Sequence, residues 1–363
     1  MKADKKQKWV APSARIAILL RERVAALKPG DSLGTEVAIA EECDVSRMTA
    51  RKAVNELVEA GLVERRAGVG IFVRGEGKVT RRWRFVAGNL LWDTAIKAAS
   101  AARREAAKIG AEMEFRDAGG DVETLLAEIA ALPDSDATGA IVVSVHSKAL
   151  AAAVRAVAGK GFPLVVIDED LGARVNVSSV VAENGMGGRL VADKMVRFGH
   201  RRIAFIGDLV ADTVRERWSG FSKLAAELTG EVPLKYDVKG EDRLGDWESE
   251  VRSAVIRIAK RKERPTAVFC SCDAIARHAM RAFAEAGISV PGDVSLVGFD
   301  DDPIAEWTSP ALTTVRQDFM AMGRIAVKAL VARIEKPAAP GVTVKVPVEL
   351  VERESLVRNT KRP

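Results

Sequence analysis

The ten residues Ser46 to Asn55, SRMTARKAVN, bring together side chains able to read a double helix. Arg47, Arg51 and Asn55 follow one another at i, i+4 and i+8, so a helix would align them on one stripe. A guanidinium there can donate two hydrogen bonds to guanine O6 and N7, worth about 1–3 kcal/mol of discrimination against other bases. A second set of polar residues terminates short apolar runs far downstream. These are Ser144 and His146, Asp168 to Asp170, Cys272 and Asp273, and Asp300 to Asp302. Carboxylates with a hydroxyl and an imidazole, gathered at the ends of strands, suit a small polar ligand whose hydroxyls they would accept from.

The elements that position the first set are legible from periodicity. Ala50, Ala53, Val54, Leu57 and Val58 give the apolar face of a helix, Ser46 stands at its N-cap, and Gly61 marks its end. ARIAILLRERVAAL (14–27) has helical spacing before a PGD turn at 29–31. LVERR (62–66) and GIFVR (70–74) make a hairpin around 67–69, a wing. Residues 74–83, RGEGKVTRRW, have two glycines, four basic residues and no apolar periodicity, which reads as a linker. From residue 84 short apolar runs at 84–91, 139–144, 163–168, 202–207, 266–271 and 293–299 alternate with helical stretches such as 94–109, 184–198 and 273–286. That alternation predicts an α/β domain of parallel sheets covered by helices. About 270 residues is large for one sheet, so two lobes with a cleft are expected.

The fold class expected is therefore multidomain: an N-terminal winged helix-turn-helix, then a two-lobed α/β domain. The expected boundaries are a disordered basic tail at 1–12, the winged helix at 13–74, a linker at 75–83, the α/β domain at 84–355 and a C-terminal tail at 356–363. Charge follows this division. Residues 1–82 hold 17 basic and 11 acidic residues, whereas the rest is balanced at 39 of each. The whole excess of +6 thus lies at the N-terminal end, where phosphate would be met. No run of eighteen apolar residues offers a membrane span. The first thirty residues lack the apolar core and cleavage site of an export signal, and three cysteines make no disulfide framework. The expected location is the cytoplasm.

Other chemistries find less support. Cys270 and Cys272 have metal-like spacing, but His146, His200 and His278 are scattered with no ligand pairing, so neither metal nor cofactor is expected. Glycines at 185–188 (GMGG) lack the dinucleotide fingerprint and favour tight helix packing over a phosphate cradle. No nucleophile elbow or P-loop occurs. An α/β enzyme acting on a sugar through the acidic strand ends is the alternative to a regulator.

Two resemblances cover most of the chain. Residues 14–74, with VSRMTARKAVNELVEAGLVERRAGVGIFV, resemble the GntR class of winged helices. Residues 84–355 resemble the effector domain of LacI/GalR regulators, which shares the periplasmic-binding-protein fold. The match is strongest at FGHRRIAFIGD (198–208), PGDVSLVGFDDDPIAEWTSPALTTVRQDFMAMGRIAV (291–327) and PVELVERES (347–355). The combination is similar to chimeric, sugar-responsive GntR–LacI regulators.

The first resemblance implies that Ser46, Arg47, Thr49 and Arg51 contact DNA and that Gly70 brings the wing to the minor groove. Ser46 can equally be a pure N-cap, and Thr49 can pack instead of touching phosphate. Arg65 and Arg66 are expected on phosphates. Two positions depart from the family pattern: Val37 where a basic residue is common, and Gly34 where a proline is usual. The second resemblance implies an effector site in which Arg217 forks onto the ligand, Trp247 stacks on a sugar face and Asp300 accepts from hydroxyls. Asp273 matches the aspartate of the family's Asn-Asp pair, with Cys272 in place of the asparagine. Asp168, Gln317, Trp92 and Asp93 join the effector set by their position at strand ends, Trp92 with packing as its other reading. Trp218 is expected in the core. Together these imply a repressor that binds a near-palindromic operator as a homodimer, under the control of a sugar-like effector.

Overall fold

The computed structural model describes residues 12–360 except 29, 60, 67, 74–80, 145–147, 172–175 and 240–246. Residues 1–11 of the expected N-terminal tail, most of the linker and His146 therefore lie outside the described residues, while Pro12 begins a helix. The chain divides into two compact units, Met1–Thr80 and Arg81–Pro363.

In the first unit three helices, α1 (Pro12–Ala26), α2 (Glu36–Glu42) and α3 (Arg47–Glu59), enclose a core with a three-stranded antiparallel sheet. Its strands are β1 (Ser32–Gly34), β2 (Val63–Arg66) and β3 (Gly70–Val73), in the order β1-β3-β2. The periodic face of α3 supplies Ala50, Ala53, Val54 and Leu57, all fully enclosed against Leu20, Leu33, Ile39, Val63 and Ile71. Thr35 caps α2 by accepting from the Ala38 N–H at 3.2 Å. Past the end of α3 the Gly61 and Leu62 N–H groups return to the Val58 and Leu57 carbonyls, which closes the helix and starts the hairpin.

The second unit holds two six-stranded sheets. The first contains β4 (Arg82–Ala87), β5 (Glu112–Asp117), β6 (Gly139–Val143), β7 (Leu164–Ile167), β8 (Ser178–Ala182) and β14 (Thr343–Val346), in the order β14-β8-β7-β6-β4-β5. The second contains β9 (Ile203–Gly207), β10 (Leu234–Asp237), β11 (Ala267–Cys270), β12 (Ser295–Asp300), β13 (Thr313–Gln317) and β15 (Val348–Val351), in the order β10-β9-β11-β12-β13-β15. All pairings are parallel except β13 with the edge strand β15. The central strands are buried on both faces, as continuous apolar runs demand.

The chain passes between the sheets three times: after β8 into α7 (Asn184–Arg197), after β13 into α12 (Phe319–Glu335), and between β14 and β15 through Pro347 alone. Helix α12 consequently follows the second sheet in sequence but packs on the first. Phe319, Met322, Ala326 and Leu330 join Phe85, Ile141, Val165 and Val180 in one core.

Two expected boundaries need correction. The linker does not extend to residue 83, because Arg82 and Trp83 already belong to β4 and Trp83 is fully buried. Nor do residues 356–359 behave as a tail. Leu356 is buried, the Asn359 N–H donates to the Phe198 carbonyl, and His200 bridges Thr266 and the Val357 carbonyl. Burial holds the His200 ring below its ordinary pKa, so this clamp on the C-terminal segment is neutral.

Candidate functional site

On the first unit, Ser46 does cap α3: its hydroxyl accepts from the Thr49 N–H at 3.2 Å and lies 2.9 Å from the Thr49 hydroxyl. The two side chains thus satisfy each other at the helix start, and any contact with a ligand would compete with that pairing. Arg47, Arg51 and Lys52 are exposed and form no ion pair with another described residue. Their charge is uncompensated along one side of α3, next to helix N–H groups that also favour an anion.

Arg65 is different. Its Nε and NH2 donate to Glu36 Oε1 at 3.1 and 2.8 Å, and NH2 also reaches Asn55 Oδ1 at 2.6 Å. It bridges α2 and α3, and it engages the asparagine expected to share a stripe with Arg47 and Arg51. In this structure Arg65 is a brace between the two helices. Arg66 pairs with Glu64 and lies over the Phe72 ring at 4.4 Å, which steadies its guanidinium on the face of the hairpin.

Gly70 packs closely at the start of the hairpin's second strand. It begins β3 at φ +144°, where an added Cβ would sit 3.1 Å from the Gly34 carbonyl oxygen. It permits the close passage of β1, and the turn at Gly68 and Val69 makes the tip of the wing. Gly34 itself has φ +99°, a conformation closed to the proline usual in the family.

In the second unit the site forms where β7, β11, β12 and β13 end. Arg217, from α8 (Asp212–Thr229), is buried. Its Nε donates to Asn184 Oδ1 at 2.7 Å and its NH1 to the Ser271 carbonyl at 2.6 Å. The guanidinium lies 3.7 Å above the Phe299 ring, with NH1 3.7 Å from Asp300 Oδ1. Such a clamp fixes the arginine plane before any ligand arrives. It is possible because Gly188 and Gly220 let α7 and α8 touch: a Cβ on Gly220 would fall 1.9 Å from the Gly185 carbonyl oxygen. The GMGG segment thus serves helix packing.

Asp300 takes φ +123° at the end of β12, and its Oδ1 accepts from Gln317 Nε2 at 2.6 Å. The other end of that amide, Gln317 Oε1, is buried with no hydrogen-bond partner among the described residues. Burial raises the Asp300 carboxyl well above the usual range; Arg217 opposes the rise, while Asp302, Asp273 and Asp168 add to it. Asp168, at φ +67° after β7, therefore approaches Asp300 from the opposite lobe. Asp93 does the same to Asp302, whose carboxyl is pushed up to about 6 by burial and then by Asp93, with Lys97 opposing. Asp93 is paired with Lys97 on α4 (Asp93–Lys108).

Four further residues of the expected effector set have partners within the protein. Asp273, at the start of α10 (Asp273–Glu285), is fully buried. Its oxygens accept from the Thr314 hydroxyl at 2.6 Å and the Asp302 N–H at 2.9 Å, so it anchors the Asp300–Asp302 loop from beneath. Trp92 is half-buried and packs against both cores of the first lobe. Cys272 is half-buried, and burial with Asp300 nearby pushes its thiol up, so it stays protonated. Trp247, preceding α9 (Glu248–Ala259), packs on the core of the second lobe and donates from Nε1 to Asp208 Oδ2 at 3.4 Å. Trp218 lies among Phe205 and Phe221, as expected of a core residue.

Asn184, Phe299 and Thr314 were missed by sequence reading, although Asn184 and Phe299 adjoin motifs already noted. Among the described residues no group of three or more His, Cys, Asp or Glu could hold a metal ion, and no helix is long and apolar enough to cross a membrane.

Comparison with known proteins finds two families in the chain. Residues 12–73 match the bacterial regulatory proteins of the gntR family, and residues 192–356 match a periplasmic binding protein-like domain. An HTH-type transcriptional repressor PurR of Photorhabdus laumondii is 36% identical over 201 residues, 54% of this chain and 57% of that repressor. The chain thus spans a little over half the length of the curated relatives it matches. A crystal structure of an uncharacterized Actinobacillus succinogenes protein superposes with a TM-score of 0.65 at 26% identity, over 76% of this chain and 99% of that one. A LacI family transcriptional regulator from Mycobacterium smegmatis gives the same score and coverage at 22% identity, a likeness of fold.

Proposed function

From a chain that sets a gntR-family domain ahead of a periplasmic-binding-protein-like domain, we propose a transcriptional repressor whose DNA affinity is governed by a small effector. The observation that carries this reading is the row of exposed, unpaired cations on α3, in the same chain as a clamped arginine–aspartate site at strand ends. Arg47, Arg51 and Lys52 meet the major groove and its phosphates; Arg66 and the wing turn meet the flanking backbone. The protein acts in the cytoplasm as a homodimer, because two winged helices at fixed separation read a near-palindromic operator.

The effector binds between the lobes of the second unit, against Asp300, Gln317 and Arg217, with Asp168 and Asp93 closing from the first lobe and Trp247 at the rim. Buried acceptors such as Gln317 Oε1 call for a ligand rich in hydroxyl donors, which supports a sugar or a related polyol. It acts through different affinities for the DNA-competent and incompetent states.

The test begins with selection of bound duplexes from a random DNA pool. Thermal-shift screening against monosaccharides, polyols, sugar acids and nucleosides follows. A ligand at 100 times its Kd stabilises its domain by about 2.7 kcal/mol, a readable shift. Each hit is then added to operator titrations. An operator whose affinity changes with the ligand supports the proposal. No selected DNA, or turnover of the ligand abolished by Asp300→Asn, overturns it in favour of another activity.

A further inference from the structure

The outward face of α3 has an unexpected centre. Ala50, Ala53, Val54 and Leu57 define the buried face, and at about 100° per residue Met48 projects almost opposite its midpoint. Met48 is 72% exposed. Arg51 and Lys52 lie one turn further on, to either side, and Arg47 precedes it. The side chain presented most squarely is therefore a thioether flanked by cations.

Scattered exposed apolar residues are ordinary on protein surfaces, so exposure alone decides nothing. Position does more. Met48 occupies the first turn of the helix, the part that reaches base edges when a helix of this kind enters the major groove. The polar side chains that could compete for those edges are engaged: Ser46 and Thr49 with each other, and Asn55 with Arg65. Between the cations, Met48 is what remains to touch a base. The major groove displays one apolar group, the C5 methyl of thymine. An unbranched, polarisable thioether with three rotatable bonds adapts well to such a methyl.

We propose that Met48 is a specificity-determining residue that recognises a thymine methyl in each half-site, beside the groups met by Arg47 and Arg51. The inference rests on the DNA-binding reading above. It adds a hydrophobic discrimination that the arginines, which favour guanine, do not provide.

The test uses the full-length protein and the operator recovered by selection. Each thymine is replaced singly by deoxyuridine, which removes only the methyl, and binding is measured by fluorescence anisotropy. Burying one methyl is worth about fourfold in affinity, or roughly 16-fold when both half-sites are changed. One thymine position per half-site should show that loss with the wild-type protein. With Met48→Ala the same position should bind thymine and deoxyuridine alike, while an unchanged thermal midpoint confirms that the exposed substitution leaves the fold intact. If no thymine is sensitive, or if Met48→Ala keeps the full sensitivity, the inference fails and DNA binding stands. A wild-type protein that selects no duplex sinks the DNA-binding reading and this inference together.

Discussion

Arg65 and Arg51 are both arginines of the winged unit, and they should respond oppositely to removal. Arg51 is exposed and unpaired, so under the proposed function it neutralises a phosphate or donates to a base. Arg65 makes three hydrogen bonds to Glu36 and Asn55, and a phosphate would have to displace them. Each phosphate neutralised on duplex DNA contributes about 0.9 to the slope of log K against log salt. Arg51→Ala in a phosphate role should lower that slope by about 0.9 for each half-site occupied, whereas Arg65→Ala should leave it within about 0.3. The loss from Arg65→Ala appears instead in stability, on the order of 1 kcal/mol, because this partly exposed pair is screened by solvent. Glu36→Gln supplies the converse: it releases the guanidinium and should steepen the slope by up to about 0.9 per half-site. Anisotropy titrations between 50 and 200 mM salt, about a range of four in concentration, read these differences directly. Equal loss of slope for Arg51→Ala and Arg65→Ala would refute the division into contact and brace.

Three further outcomes follow from the second unit. Burial pushes Asp273 up to about 7 and Asp302 to about 6, so the fold favours their protonated forms. The stability they contribute is full below the unfolded value near 4 and is lost as pH rises toward 7. Asp273→Asn keeps an acceptor for the Asp302 N–H and a donor for the Thr314 hydroxyl, and should flatten that decline in urea unfolding; an unaltered pH profile would exclude Asp273 as its source. Gly220→Ala drives a Cβ into the Gly185 carbonyl and should cost about 1–3 kcal/mol net of helix propensity, together with effector response because Arg217 lies one turn away. A variant as stable as the parent would deny the close helix contact. Trp247→Ala should weaken effector binding while operator affinity without effector stays unchanged, and equal loss of both would make Trp247 structural.

What was legible in the sequence had a local cause. The apolar face of α3, its Ser46 cap and the Gly61 stop each depend on neighbours within one or two turns. The central strands β6, β7, β9 and β11 announce themselves as apolar runs because both of their faces are covered. The edge strands did not. Glu112–Asp117 (EMEFRD) alternates weakly and places charge on its open face, and β14 and β15 are too short and polar to be told from loop. Long-range partners were equally hidden. Nothing near Arg65 reveals that Glu36, 29 residues earlier, will claim its guanidinium. Asp273 resembled a ligand-binding residue by its motif, yet only the fold shows Thr314 and the Asp302 backbone filling both its oxygens. Gly70 likewise reads as a wing residue until β1 is seen to pass beside it.

The placement of the strand-end site also explains how occupancy can reach the rest of the chain. Two of the three passages between the sheets start at residues of the site itself. Asn184 is the first residue of α7 and accepts from Arg217; Gln317 is the last residue of β13 and donates to Asp300. A ligand that takes up Asp300, or fills the open acceptor of Gln317, changes the bonding of the segments about which the lobes must turn. Asp168 and Asp93 meanwhile bring negative charge from the first lobe toward Asp300 and Asp302 of the second. Where these carboxyls are ionised, like charges across the opening resist closure, and hydroxyl donors placed between them relieve that resistance by hydrogen bonding to the carboxylates. Under the proposed function, lobe closure and ligand binding are coupled through the same few side chains.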